Sequence, residues 1–502
     1  MEVLKNTFLS ELIKKDFGRG IIDRIQQKRH LSVKGSVGSS VSIFVSEIFL
    51  AQQKNIFFIL DDKEQSYYAT TEIEDFVGAE NVLYFPETYK QPYQIEKTQN
   101  ANIVLRTEVL EEILRDSGTK KIIIASASAL SEKVVKREDF TAITQKIKVG
   151  SQLSSDFSEE LMGNYHFQLV DFVSEPGEFA IRGGIVDVFS YSNERPYRIT
   201  LFGNEVESIK EFDIETQLST KKIDEFQLIS NMNITVKNDR VSLFEILPKD
   251  TIIVTKNISL ILDKIDKFYK KAEEKFTTLS KDIKHQTPEE LFLTNNDLMK
   301  TLQKFQVVDF SSQSFGGFPI LEVKQSPQPS FNKNFELLVE DIVNKSNENY
   351  EVWISFSTEK QKNRLEEIFQ SLIKNQNTNN KLIFNAFYSN INQGFVDVEN
   401  KIAVYTDHQI FDRYQRYKQK NAFAKSEQLT LKDLMSLKIG DYITHIDHGI
   451  GKFMRLVKVN NGGKVQECFK LSYKNGDLLY VSIHSLHKIS KYNGADGKEI
   501  IL

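Results

Sequence analysis

At 502 residues the chain exceeds what a single hydrophobic core organises, so three or more domains are expected. No apolar run approaches the roughly 18 residues of a membrane span, no charged-then-apolar leader follows Met1, and the lone Cys468 excludes an internal disulfide, which together predict a cytoplasmic protein. A net charge of −4 makes no case for binding nucleic acid over the whole surface, although the segment from Leu431 onward carries 11 Lys/Arg against 7 acids.

Residues up to about 30 read as helical, with Leu9, Leu12, Ile13, Ile21, Ile22 and Ile25 at helical spacing. Residues 31–42, LSVKGSVGSSVS, then precede a mixed apolar segment. A phosphate-binding loop needs G-x-x-x-x-G-K-[ST]: amides cradle the phosphates, the lysine balances their charge and the hydroxyl holds Mg²⁺. Here Gly35 keeps the first position, Ser40 replaces the second glycine, Val41 replaces the lysine and Ser42 keeps the hydroxyl. Valine supplies no positive charge and Lys34 lies on the wrong side of the loop, so the segment is expected to hold no nucleotide and hydrolyse none.

The apolar runs at 55–62, 81–86 and 121–125 alternate with helix-like segments at 72–77 and 100–115, a pattern that predicts a doubly wound α/β layer. Asp61-Asp62 at the end of the first run reads as a solvated strand end rather than a Mg²⁺ pair.

Residues 175–219 predict an antiparallel meander. Pro176-Gly177 opens it, Gly183-Gly184 permits a break or bulge, and Gly203-Asn204 signals a two-residue hairpin. Side chains alternate between these turns: Phe179 and Ile181 share one face, as do Ile185, Asp187 and Phe189. The wording of the stretch is more specific than its period. PGEFAIRGGIVDVF followed by RPYRITLFGNEVESIKEFDIETQ resembles the second domain of the UvrB-like module, found in the excision-repair UvrB proteins and in the bacterial transcription-repair coupling factor (Mfd) family.

That resemblance implies a docking surface for UvrA, with Phe179, Arg182 and Gly183 as the contact residues. For Phe179 the sequence leaves two readings open, an exposed interface ring or an inward-packing one. Ala180 and Leu169 stand where UvrB carries further arginines, so a differently built surface is implied. The resemblance also makes residues 31–42 a degenerate P-loop. It sets Tyr89-Lys90-Gln91-Pro92-Tyr93, with Arg106, in place of the DNA-clamping hairpin of UvrB, where the spacing is too short for such a hairpin.

Residues 223–325 return to mixed α/β, with a strand at 251–254, a long helix near 260–283 and a capping box at Thr287-Pro288-Glu289-Glu290. Pro327 and Pro329 mark residues 325–330 as a linker. Beyond it, strands at 350–356, 394–398 and 401–407 with a helix at 359–373 predict a small α/β domain, followed by a basic run at Arg413, Arg416, Lys418 and Lys420 that reads as a solvated face.

From Leu437 the chain becomes strand-rich, and Asn461-Gly462-Gly463 and Asn475-Gly476 are turn signals, which predicts a small bent sheet or barrel. Residues 454–459 form a strand whose free edge could extend a partner's sheet through backbone pairing. GDYITHIDHGIGKF resembles the opening of the CarD-like, Tudor-like domain that interacts with RNA polymerase, which implies the polymerase β subunit as partner and Arg455, Leu456, Val457, Lys458 and Val459 as the contact strand. His445, Asp447 and His448 lack helical spacing and a clear further ligand, so they read as structural and no metal is expected.

Together these readings give a multidomain α/β chain: a UvrB-like domain at 1–138 with its degenerate P-loop, the UvrA-docking domain at 139–222, the return of the first domain at 223–325, a small α/β domain at 331–424 and the CarD-like domain at 431–502. The two resemblances in one chain imply the adaptor, N-terminal part of a coupling factor that is not itself an enzyme. Its parent would carry an ATP- and Mg²⁺-dependent DNA translocase that makes the main DNA contacts. A UvrB-type repair helicase subunit and a CarD-type transcription regulator are the alternatives.

Overall fold

The computed structural model describes residues 7–27, 30–89, 91–93, 100–115, 118–153, 156–214, 216–231, 240–279, 285–376, 384–412, 439–445, 448–461, 464–473, 477–482 and 489–491. The chain forms two compact units: Met1–Arg137 with Asp239–Gln419, and Glu138–Asn238 with Lys420–Leu502. The basic run at 413–420, Asp447 and the Gly462-Gly463 and Asn475-Gly476 turns lie outside the described residues.

The first unit is built on a seven-stranded sheet in the spatial order Ile320–Glu322, His30–Lys34, Gln306–Phe310, Ile252–Lys256, Ile56–Leu60, Ile122–Ser126 and Val82–Phe85. All its pairings are parallel. Ile56–Leu60 and Ile122–Ser126 are buried along their whole length, as expected of inner strands covered on both faces by helices. The predicted α/β layer is thus present. Asp62 is more than a solvated strand end: its side chain accepts from Gln65 N and caps the helix Lys63–Val77, while Asp61 pairs with Lys264 at 3.0 Å.

The N-terminal helical stretch is divided into Thr7–Lys14 and Arg19–Gln27, with Asp16 in the left-handed region between them. Thr287 and Glu290 form the expected capping box at the start of a four-residue helix, Pro288–Leu291. The helix before it runs Ile258–Thr277, and residues 280–283 of the expected span lie outside the described residues.

A second sheet belongs to the same unit, in the order Gln325–Pro327, Phe395–Asp397, Ile402–Thr406, Glu351–Phe356 and Asn385–Tyr388. The stretch read as a linker therefore begins as a strand: Gln325, Ser326 and Pro327 pair with Asp397, Val396 and Phe395. An edge position explains why a proline is tolerated there, since no ladder needs its missing N–H.

The core of this small sheet is continuous with that of the large one. Phe8 stacks on Phe387 at 4.1 Å between centroids and meets the edge of Trp353 at 5.0 Å, and Phe17 bridges Phe44 and Phe395. The aromatic residues of the short insertion also turn inward: Tyr93 packs on Phe276 and Phe292, and buried Tyr89 meets Phe292.

The second unit contains the meander, in the order Ser219–Ile223, Glu205–Phe212, Tyr197–Phe202, Ile185–Val188, Glu178–Arg182 and Gln168–Leu169. Every pairing is antiparallel except the outermost, between Gln168–Leu169 and Glu178–Arg182. Gly203-Asn204 forms the predicted hairpin turn, and Gly183-Gly184 forms a second one rather than a bulge. The bulge lies at Thr200/Leu201. A separate ribbon pairs Thr144–Lys148 with Glu225–Ile229, so this β-rich segment closes beyond residue 222.

The last sheet is antiparallel and five-stranded, in the order Leu478–Ser482, Lys464–Ser472, Gly449–Asn461, Tyr442–His445 and Ile489–Lys491. Its core gathers Ile443, Phe453, Phe469, Leu471 and Val481, beside which Cys468 is buried. Among the described residues no helix is long and apolar enough to cross a membrane.

Candidate protein-interaction sites

Residues 35–39 join the strand His30–Lys34 to the helix Ser40–Gln52, a strand-loop-helix arrangement at the end of a parallel strand. Ser40, Val41 and Ser42 are buried in the first turn of that helix. The Ser40 hydroxyl donates to the Val37 carbonyl and to Gln325 Oε1, both at 2.7 Å, and Val37 N donates to the same Gln325 oxygen at 3.2 Å. The Ser39 hydroxyl donates to Glu72 Oε1 at 2.5 Å and the Ser42 hydroxyl to Glu72 Oε2. Glu72, from the helix Lys63–Val77, also accepts from Asn392 N at 2.7 Å.

Burial pushes the Glu72 carboxyl above its ordinary range, against the opposing pull of these donors and of the Lys256 charge. No property of Glu72 in the sequence singles it out. It lies within a helix of mixed pattern, and only the close approach of residues 389–394 makes it central.

On the meander, Arg182 donates to Asp187, whose side chain is fully buried. Arg198 holds the same carboxylate through Nε to Oδ1 at 2.7 Å and Nη2 to Oδ2 at 2.9 Å, and donates from Nη1 to the Gln217 carbonyl at 3.1 Å. Each guanidinium also covers a ring, Arg182 over Phe172 at 5.2 Å and Arg198 over Phe212 at 4.7 Å. Two cations share one anion, and the Arg182 side chain is 41% exposed, so an excess positive charge is held at the surface in a fixed place.

Phe179 does not join this cluster. It is 0% exposed on the opposite face of its strand, paired with Val188. Period-two alternation predicts one wet face, but Glu178, Phe179 and Ala180 are all buried, and only Ile181 and Arg182 emerge at the strand end. The exposed ring next to Arg182 is instead that of Phe172, 40% exposed beneath the guanidinium. Gly183 forms the turn that follows Arg182. Asp187, Arg198 and Phe172 were not singled out from the sequence. A signal for the first two exists: a two-residue turn at Gly183-Gly184 sets Ala180 opposite Asp187, and Asp187 lies opposite Arg198 in the next register.

On the last sheet, Arg455, Leu456, Val457, Lys458 and Val459 all lie in the strand Gly449–Asn461. One edge of this stretch pairs with Lys464–Ser472. Along the other edge, Tyr442–His445 reaches only as far as Gly449–Lys452, so among the described residues that edge has no strand beside it from Arg455 onward. The register shifts between Phe453 and Arg455, leaving Met454 as the extra residue of a bulge. Leu456 is 49% exposed although its cross-strand partner Phe469 is buried. The strand expected at 454–459 lies within this longer one. His445 is buried, with its ring 4.7 Å from that of His448.

Two family models match the chain: the UvrB interaction domain over residues 146–233 and the CarD-like/TRCF RID domain over residues 437–493. The first contains the Arg182–Asp187–Arg198 cluster and the second the strand Gly449–Asn461. Among curated proteins, the transcription-repair-coupling factor of Bacillus subtilis (strain 168) is 24% identical, over 98% of this chain and 47% of that protein. That of Staphylococcus aureus (strain bovine RF122 / ET3-1) is 22% identical over 98% of this chain and 48% of that protein. The chain spans about half the length of the curated relatives it matches. It carries a UvrB interaction domain and a CarD-like/TRCF RID domain, and over nearly all of its length it is similar to transcription-repair-coupling factors.

Proposed function

We propose that this chain is the adaptor part of a transcription-repair coupling factor, which holds a stalled RNA polymerase and recruits UvrA to begin excision repair. Support comes from one observation above others: a UvrB interaction domain and a CarD-like/TRCF RID domain occur in one chain, each presenting a surface suited to protein recognition. The Arg182 guanidinium, backed by Asp187 and Arg198 and flanked by Phe172, offers UvrA an arginine and an aromatic ring, residue types that dominate interface energetics. The second edge of Arg455–Val459 offers the polymerase β subunit backbone donors and acceptors for strand addition.

No catalytic step is assigned to the chain. Val41 provides no countercharge for a nucleotide, and the donors around residues 35–42 are occupied by protein groups. The parent protein would supply an ATP- and Mg²⁺-driven translocase that makes the main DNA contacts and pushes the polymerase off the lesion, which places its work in the cytoplasm. Separate pull-downs of the purified chain with UvrA and with the polymerase β subunit test the proposal. Capture of both is expected, and capture of neither would sink it. ATP turnover by the chain alone would instead favour a helicase subunit of the UvrB type.

A further inference from the structure

We infer that the loop at residues 35–42 is an internal docking socket: Glu72 occupies the seat a nucleotide phosphate would take, and the segment Ser389–Gly394 of the small sheet closes over it. Space, donors and charge all point the same way.

The space is filled by main chain. A Cβ on Gly38, whose φ is +56°, would lie 2.8 Å from the Gln393 carbonyl oxygen and 3.0 Å from that of Gly394. A Cβ on Gly35, at φ +85°, would lie 2.1 Å from the Val323 carbonyl oxygen. Both glycines are needed here because other backbone passes directly against them. In a working loop, that clearance is where phosphate oxygens approach the amides.

The donors are committed as well. Ser39 N donates to the Gln393 carbonyl at 3.0 Å, and Gln393 N returns a bond to the Ser39 hydroxyl oxygen at 3.0 Å. Ser42, which would ligate Mg²⁺ in an active loop, donates to Glu72. A second carboxylate one helical turn further on, Asp75, accepts from Asn390 N at 2.8 Å and from the Ser389 hydroxyl at 3.2 Å. Glu72 and Asp75 thus present one helix face to the same incoming segment.

The charge balance agrees. The helix Ser40–Gln52 has no acidic residue in its own first turn, and a helix N-terminus favours a nearby anion. Glu72 brings a carboxyl to that place from a neighbouring helix. Phe395, directly after the docked segment, enters the core shared with Phe17 and Phe44, so apolar burial reinforces the polar latch. Loss of the lysine and filling of the site are then two separate barriers to nucleotide, and the second persists if the first is reversed.

The inference rests on the proposal that the wild-type chain binds no nucleotide, and the experiment separates the two. Calorimetry with millimolar Mg-ADP is run on the whole chain and on the Ser40→Gly/Val41→Lys variant, which restores the motif; neither is expected to bind. Binding by the wild type overturns the parent reading, whereas binding by the variant alone overturns the socket. Hydrogen exchange provides the positive test. Glu72→Ala should speed exchange of the Asn392 and Gln393 amides about tenfold, as expected when a charge-assisted bond is lost, with Ile122–Ser126 unchanged. If Glu72→Ala does not fold, Glu72→Gln, which keeps the shape, should raise the same amides severalfold. Unaltered exchange in whichever variant is folded overturns the socket.

Discussion

Arg198 grips Asp187 through two contacts, 2.7 and 2.9 Å, around a carboxylate with no exposure to solvent. Arg182 reaches the same carboxylate from the surface, so the two arginines share a partner while having different burial. Their roles should separate on mutation. Asp187→Ala strands Arg198 without its anion and should destabilise the chain by about 3–5 kcal/mol in urea unfolding. Arg182→Ala removes a half-exposed group and should shift stability by less than about 1 kcal/mol, yet weaken UvrA capture by roughly tenfold or more. Equal losses of stability from the two variants would show that Arg182 is structural.

The second edge of Arg455–Asn461, with no strand beside it among the described residues, makes a prediction of the opposite kind. Leu456→Asp places a charge on a half-exposed strand position, and its effect on the melting transition should stay within about 1 kcal/mol. Polymerase β-subunit capture should fall by about an order of magnitude, because the apolar contact beside the added strand is lost. Undiminished capture would move the contact away from this edge.

Glu47 sets a pH dependence. Its carboxylate is buried against Gly18, neither oxygen has a hydrogen-bond partner of normal geometry among the described residues, and burial pushes its pKa up from 4.5 to about 8. Folding therefore favours the protonated form. Stability from this group is fully present below pH 4.5 and declines as pH rises toward 8, by an amount on the order of a few kcal/mol. Glu47→Gln should flatten that slope in urea unfolding between pH 5 and 8, and an unchanged slope would place the titration elsewhere.

Gly35→Ala combines a left-handed φ with a Cβ driven into the Val323 carbonyl. The expected loss is about 2 kcal/mol or more, read from thermal or urea unfolding. A neutral result would mean that Val323 can move away freely.

The parts of the fold written in local chemistry were legible from sequence. Continuous apolar runs marked Ile56–Leu60 and Ile122–Ser126 as inner parallel strands, Gly203-Asn204 marked a hairpin, and Thr287 with Glu290 marked a helix start. What escaped depends on long-range burial. Phe179 lies on a strand covered on both faces, which alternation within one strand cannot reveal. Pro327 looks like a linker residue because its partner, Phe395, is far along the chain. The candidate sites divide in the same way: resemblance to family motifs drew attention to Arg182 and to the strand holding Arg455–Val459, while Asp187, Arg198 and Glu72 needed sheet register or tertiary approach.

Gly35 and Gly38 bear on how silent relatives of working enzymes are interpreted. Fragments of a nucleotide signature that survive without their lysine are easily taken for fossils of a discarded reaction. In this chain the one signature glycine that survives, Gly35, answers to a present-day steric demand, clearance for the peptide group of Val323, just as Gly38 inside the loop clears that of Gln393. Such remnants, met in other inactive loops, can report on what now leans against the loop and need not measure how recently catalysis ceased.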